Sequence, residues 1–221
     1  MLTDACAEGF LWNGTPTGSI IQLGDLDCYV STPSTKKQST AILFVHDIFG
    51  IQFQNNKLLC DRLAAQSGNI TMDFREFLGL FPTEDNLKRV EQSIKDLNAL
   101  GKTEIGAIGY CWGGKYSLHF GQKGLKAVGT AHPSRLEPEQ DISGIKVPTL
   151  LLLAEHDQSF EGETRTKTLD LLKKNQVDLT VVEFPGTTHG FAVRGDEQVV
   201  KDARDKACST AAAFFDKHLN Q

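Results

Sequence analysis

Apolar residues along this chain follow two patterns that alternate from one end to the other. The longest apolar runs, 41–45 and 150–154, lie in segments 41–46 and 149–154 that read as strands, the first covered on both faces. Segments 18–23 and 26–31 flank Gly24-Asp25 and read as an opening hairpin. Further strands are expected at 69–73, 104–109, 126–131 and 179–184. Between them the spacing becomes helical. Leu59 and Leu63 share one face of 55–66, and Leu87, Val90, Ile94 and Leu97 share one face of 86–100, where Gly101 stops the helix. Helices are also expected at 114–120, 164–174 and 196–218, the last with Val199, Ala203, Ala207, Ala211 and Phe214 on one side. Strands separated by helices predict an α/β chain: a mostly parallel sheet of about 8 strands with helices on both faces, forming one domain over 1–221.

Composition narrows the functional classes. The chain is 40% hydrophobic, enough for an ordinary interior, and no apolar run approaches the roughly 20 residues of a membrane span. Residues 1–6 lack the basic-then-apolar pattern of a signal peptide, so a cytoplasmic protein is expected. Net charge is −5 and the basic residues are scattered, which disfavours nucleic acid as a partner. Five cysteines at 6, 28, 60, 111 and 208 are odd in number, irregular in spacing and free of a C-x-x-C pair. That argues against a disulfide framework and against a zinc site, and no metal or cofactor is expected. Cys28, Cys60 and Cys208 read as small buried hydrophobes.

In doubly wound sheets the reactive groups gather just past the carboxyl ends of the strands. Those positions hold His46-Asp47, Tyr110-Cys111-Trp112, His132, Glu155-His156-Asp157 and Thr188-His189. The segment Gly109-Tyr110-Cys111-Trp112-Gly113-Gly114 is a G-x-C-x-G elbow, the cysteine form of the hydrolase nucleophile motif, with a strand before it and a helix after it. Its glycines relieve crowding in a tight strand-to-helix turn, and the following helix N-terminus favours a thiolate at Cys111. The dinucleotide and phosphate-loop glycine patterns are absent. A base must follow. His46, His132 and His156 also stand after strands, but His189, in a Gly-flanked loop before the last helix, fits the order nucleophile, acid, histidine. The acid is then Asp157, with Glu155 as the runner-up.

Several segments together resemble the dienelactone hydrolase (carboxymethylenebutenolidase) family, in its eukaryotic branch. They are Val45-His46-Asp47-Ile48-Phe49-Gly50, Gly109-Tyr110-Cys111-Trp112-Gly113-Gly114-Lys115, Ala131-His132-Pro133-Ser134, Ala154-Glu155-His156-Asp157 and His189-Gly190-Phe191-Ala192-Val193-Arg194. The resemblance runs in order over nearly the whole chain. It implies an α/β-hydrolase fold and a Cys-His-Asp triad, matching Cys111, His189 and Asp157. It further implies that Asp47 contacts the resting thiol and that the backbone N–H groups of Ile48 and Trp112 form an oxyanion hole. Arg194 matches an arginine that pairs with a substrate carboxylate. One stretch departs from the family. Relatives extend the strand near 70–73 into a long loop over the pocket, whereas here 73–76 run quickly to Pro82, so a more open pocket is expected, and Arg75 stands where it could replace a substrate arginine.

The expected activity is hydrolysis of a small ester or lactone by a monomer or weak homodimer. Two other classes compete. One is a ligand-binding or redox-sensing protein on the same fold, which has no need of all three triad positions. The other is a glycan hydrolase, which needs two carboxylates across a cleft, with Asp47 and Asp157 the candidates.

Overall fold

A computed structural model describes residues 11–23, 26–34, 39–74 and 82–220. Its elements run β1 (Ser19–Leu23), β2 (Leu26–Ser31), β3 (Thr40–Val45), α1 (Gln54–Ser67), β4 (Ile70–Phe74), α2 (Thr83–Ala99), β5 (Glu104–Tyr110), α3 (Gly113–Phe120), β6 (Ala127–Ala131), α4 (Pro138–Asp141), β7 (Thr149–His156), α5 (Gly162–Lys174), β8 (Leu179–Thr188) and α6 (Gln198–Leu219). The strands form one sheet in the order β1-β2-β4-β3-β5-β6-β7-β8. β1 pairs antiparallel with β2 and β2 antiparallel with β4, and every later pairing is parallel. This is the mostly parallel sheet of eight strands that the alternating pattern predicts, and the α/β-hydrolase fold that the resemblance implies.

Alternation along the central strands divides the interior into two layers. Ile42 and Phe44 of β3, Ile108 and Tyr110 of β5, and Leu150 and Leu152 of β7 face α1 and α6, meeting Leu59, Leu63, Ala207, Ala211 and Phe215. Their neighbours Leu43, Val45, Ala107, Leu151 and Leu153 face the other way, toward Val90 and Leu97 of α2, Tyr116 and Leu118 of α3, and Leu172 of α5. A strand covered on both faces has no polar positions to spare, which is why 41–45 reads as a continuous apolar run. Each of those leucines contributes about 1.5–3 kcal/mol by leaving water.

Four differences from the sequence reading stand out. β8 continues through Pro185-Gly186 to Thr188, although that dipeptide reads as a strand end. β8 is the outermost strand, paired only with β7, and an edge strand tolerates a proline that donates no hydrogen bond. β7 likewise runs on to His156, with an irregularity at Ala154/His156, so Asp157 is the first residue past the strand. The single turn α4 carries no periodic signal of its own. On α6 the apolar face is right at Ala203, Ala207, Ala211 and Phe214, but Val199 lies exposed in the first turn. The expected hairpin turn at Gly24-Asp25, Cys6, Arg75 and the shortened segment after Phe74 lie outside the described residues.

Candidate active site

The sheet brings Cys111, Asp157 and His189 to its carboxyl edge, each just past a strand. β5 ends at Tyr110, and Cys111 follows with φ +53°, a left-handed conformation that is strained for any side chain but glycine. The turn is held from several sides. The Cys111 N–H donates to the Ala131 carbonyl (3.1 Å), and the Cys111 carbonyl accepts from the N–H groups of Gly114 (3.1 Å) and Ser134 (3.0 Å). The motif glycines are required by contact. A Cβ at Gly109 would run into the Gly113 backbone, and a Cβ at Gly113 would run into the Val45 and His46 carbonyls. Residues 109 and 113 must therefore lack side chains for β5 and α3 to approach as they do. The elbow is a consequence of that packing.

The buried Cys111 thiol lies 3.1 Å from His189 Nε2. His189 Nδ1 stands 2.8 and 2.9 Å from the two Asp157 carboxylate oxygens, Oδ1 and Oδ2. Both residues are buried. Asp157 Oδ1 also accepts the Ser159 N–H (2.9 Å), which fixes the carboxylate as the chain leaves β7. The runner-up acid points elsewhere: Glu155 is half-exposed and accepts the Gly186 N–H (2.7 Å), pinning the bend in β8. Among the rival histidines, His156 is exposed, and His46 Nδ1 sits 2.7 Å from the Asp47 carbonyl. A glycan-type pair across a cleft is not what the carboxylates form, because Asp157 faces His189 and Asp47 serves its own loop.

That loop follows β3. Asp47 is fully buried, and its Oδ1 accepts the Phe49 N–H (3.1 Å) and an Asn56 amide proton (3.0 Å), while Oδ2 accepts no hydrogen bond among the described residues. Cys111 Sγ lies 3.1 Å from His189 Nε2 and 3.7 Å from Ser134 Oγ, and the hydrogen bonds described for Asp47 go to Phe49 and Asn56. Among the described residues no turn or loop hydrogen bond is donated by the Ile48 or the Trp112 N–H. Arg194 is buried rather than solvated, with its guanidinium carbon 5.1 Å from the centre of the Phe49 ring. Cys111, His189 and Asp157 stand in one hydrogen-bonded line, and three nearby residues were not singled out as site residues by the sequence reading. Ser134 touches the thiol. Asn56 holds Asp47. His132, considered only as a rival base, lies edge-on to His189 at 5.1 Å and 71°. Its burial, followed by electrostatic interaction with His189 and Arg194, holds its imidazole well below the usual histidine range.

A separate cavity of about 490 Å³ opens between α2 and α3, lined by Leu87, Ile94, Phe120 and exposed lysines. It lies at the end of α3 remote from Cys111. Among the described residues no cluster of three or more His, Cys, Asp or Glu side chains is arranged to hold a metal ion, and no helix is long and apolar enough to cross a membrane.

A nucleophile elbow after β5, a histidine after β8 and an acid after β7 on an eight-stranded sheet define an α/β-hydrolase. Residues 73–219 match the dienelactone hydrolase family, and the chain belongs to that family, among carboxylic ester and lactone hydrolases. It is 29% identical to "Hydrolase pyvD" of Aspergillus violaceofuscus over 99% of this chain and 98% of that protein. It is 30% identical to a carboxymethylenebutenolidase homolog of Xenopus tropicalis over 92% of each. The fold is similar to that of an esterase from Pyrobaculum calidifontis, with a TM-score of 0.72 at 17% identity over 97% of this chain and 88% of that one.

Proposed function

We propose that the protein hydrolyses a small ester or lactone through an acyl-enzyme on Cys111. The observation that carries the proposal is the line of hydrogen bonds from Cys111 Sγ through the His189 ring to Asp157. His189 Nε2 takes the thiol proton as the thiolate attacks the substrate carbonyl carbon. Asp157 holds the Nδ1 proton in place and stabilises the imidazolium. The carbonyl oxygen becomes an oxyanion facing the N–H groups of Ile48 and Trp112, each such donor being worth about 3 kcal/mol in the transition state. Collapse breaks the carbon–oxygen bond to the leaving alcohol, which receives the proton from His189. For a lactone that alcohol stays tethered to the acyl group. Water, deprotonated by the same imidazole, then cleaves the thioester and frees the acid.

We assign Arg194, a guanidinium buried beside the Phe49 ring, to a substrate carboxylate, as the family resemblance implies. The substrate is therefore a small ester or lactone bearing a carboxylate.

The test is pre-steady-state hydrolysis of p-nitrophenyl acetate, followed by intact mass. A burst of one nitrophenolate per active site and an acetyl adduct on Cys111 are expected. Both should vanish in Cys111→Ala and slow by orders of magnitude in His189→Ala. Turnover by Cys111→Ala at the wild-type rate would overturn the mechanism.

A further inference from the structure

The loop between β3 and α1 carries the Ile48 N–H to which the proposed mechanism assigns half of the oxyanion hole. Its hold on that amide comes from one side chain in the first turn of α1. Asn56 is fully buried and spends both amide protons on the loop, donating to Asp47 Oδ1 (3.0 Å) and to the Gly50 carbonyl (2.9 Å). These acceptors lie on either side of Ile48-Phe49. Asp47 Oδ1 also takes the Phe49 N–H, and the Asp47 carbonyl takes the Gly50 N–H (3.2 Å). Gly50 reverses the chain with φ +68°, and its carbonyl also accepts the Phe53 N–H (3.1 Å) as α1 begins.

We infer that Asn56 is a positioning residue which, with Asp47, clamps residues 47–50 so that the Ile48 N–H points at the developing oxyanion. The inference rests on the acyl-enzyme reading above and adds a part to it. A buried amide contributes little net stability by exchanging water for protein partners, so stability alone is a weak reason for placing one here. Its Oδ1 accepts nothing among the described residues, so the two donated bonds are the whole of its polar contribution. Both go to the one loop whose backbone must stay fixed while charge appears beside it, and preorganised donors matter because they need not reorient during reaction. The same geometry gives Asp47 a role independent of the thiol: its carboxylate is the acceptor that makes the clamp.

Four variants test this: Asn56→Ala, Asn56→Leu, which fills the volume without donors, Asp47→Ala, and Asp47→Asn, which keeps an acceptor oxygen. Three quantities are read for each. They are kcat and KM for p-nitrophenyl acetate, affinity for a small trifluoromethyl ketone whose adduct with Cys111 carries an oxyanion, and the rate of Cys111 modification by methyl methanethiosulfonate, which has no carbonyl. Both Asn56 variants and Asp47→Ala are expected to lower kcat by roughly tenfold to a hundredfold with KM within about threefold, and to weaken the ketone in parallel. Thiol modification should stay within about twofold of wild type, and Asp47→Asn should lose less than Asp47→Ala.

Wild-type kcat in both Asn56 variants would overturn the clamp. So would a kcat loss matched by an equal loss in thiol modification, which would place the effect on the nucleophile or on folding. An Asp47→Asn loss equal to that of Asp47→Ala would also count against it, since the charge rather than the acceptor would then matter. Cys111→Ala separates the two proposals: if it retains turnover, the acyl-enzyme reading fails, whereas a dead Cys111→Ala beside fully active Asn56 variants removes the clamp alone.

Discussion

Acid should destabilise this protein in a way traceable to His132. The residue ends up fully buried just past β6, with its ring edge-on to His189 and to Phe191 (5.5 Å, 73°) and neither ring nitrogen hydrogen-bonded among the described residues. Burial first, then electrostatic interaction with His189 and Arg194, depress its pKa well below 6.5. A histidine depressed in the folded state stays neutral while the unfolded chain takes up a proton. Unfolding is then accompanied by proton uptake, and stability falls as the pH drops through the unfolded value. For one such group the loss between pH 7.5 and 5.5 is about 1.4 kcal/mol, or about 3–6 °C in Tm for a domain of this size. The assay is urea unfolding at several pH values for wild type and His132→Asn. Asparagine tolerates the φ of +39° at this position, and although the variant loses ring packing, the pH slope rather than the absolute stability is the readout. His218, also depressed by desolvation, contributes equally to both proteins and cancels. Wild type should lose about 1.4 kcal/mol more than His132→Asn over this range. Parallel slopes would refute the reasoning and place a charged, solvated imidazole at 132.

Three other outcomes are expected. At pH 8 a small thiol reagent should modify Cys111 and spare Cys28, Cys60 and Cys208 until the protein unfolds, as judged by peptide mass mapping. Burial drives the thiols of Cys28 and Cys208 up to about 12 and that of Cys60 well above its usual range, leaving roughly one part in ten thousand as thiolate for the first two. Asp157→Asn should cut kcat by about a thousandfold or more, while Glu155→Gln, whose contacts are the bend in β8 and the exposed His156, should cost less than about tenfold; the reverse order would reassign the acid. Arg194→Gln should lower kcat/KM for a lactone bearing a carboxylate by at least about tenfold relative to a neutral lactone of the same size, and equal losses on both would remove the charge-pairing role.

Much of this site could be read from the chain because the fold places chemistry by rule. An unbroken apolar run is legible as a doubly covered strand, and the first polar residue past it is legible as a site candidate. Cys111 is legible from its glycine-flanked elbow, and Asp157 and His189 from their places after later strands in the order nucleophile, acid, histidine; the structure puts Cys111 and Asp157 each within hydrogen-bonding distance of His189. The elbow glycines were legible because backbone contact at 109 and 113 admits no substitute. The extension of β8 through Pro185 was hidden because proline reads as a breaker unless the strand is known to lie at an edge, and strand order is a property of the sheet. Lys115 was read only as part of the resemblance motif. Its buried ammonium 2.6 Å from Glu137 and 3.3 Å from Asp141 ties the elbow helix to α4, a turn without a sequence signature.

The two asparagines opening α1 show where sequence reading meets a physical limit. Asn55 and Asn56 are both fully buried on one turn, yet they serve different loops. Asn56 holds the segment after β3, nine positions or fewer away. Asn55 donates to the Val193 carbonyl (2.8 Å), 138 positions on in the segment that follows His189, and accepts the Trp12 N–H (2.9 Å), 43 positions back. Neither partner pattern has a period, because a side-chain amide that bonds to a backbone carbonyl reads shape and not residue type. In the sequence the pair looks like a polar interruption at the start of a helix. In the fold it lets one rigid helix, anchored through Leu59 and Leu63, set the loop of the oxyanion amide and the loop of the histidine against each other. In the proposed mechanism the reaction geometry depends on the distance between those two loops, which makes the first turn of α1 the structural reference from which both are measured.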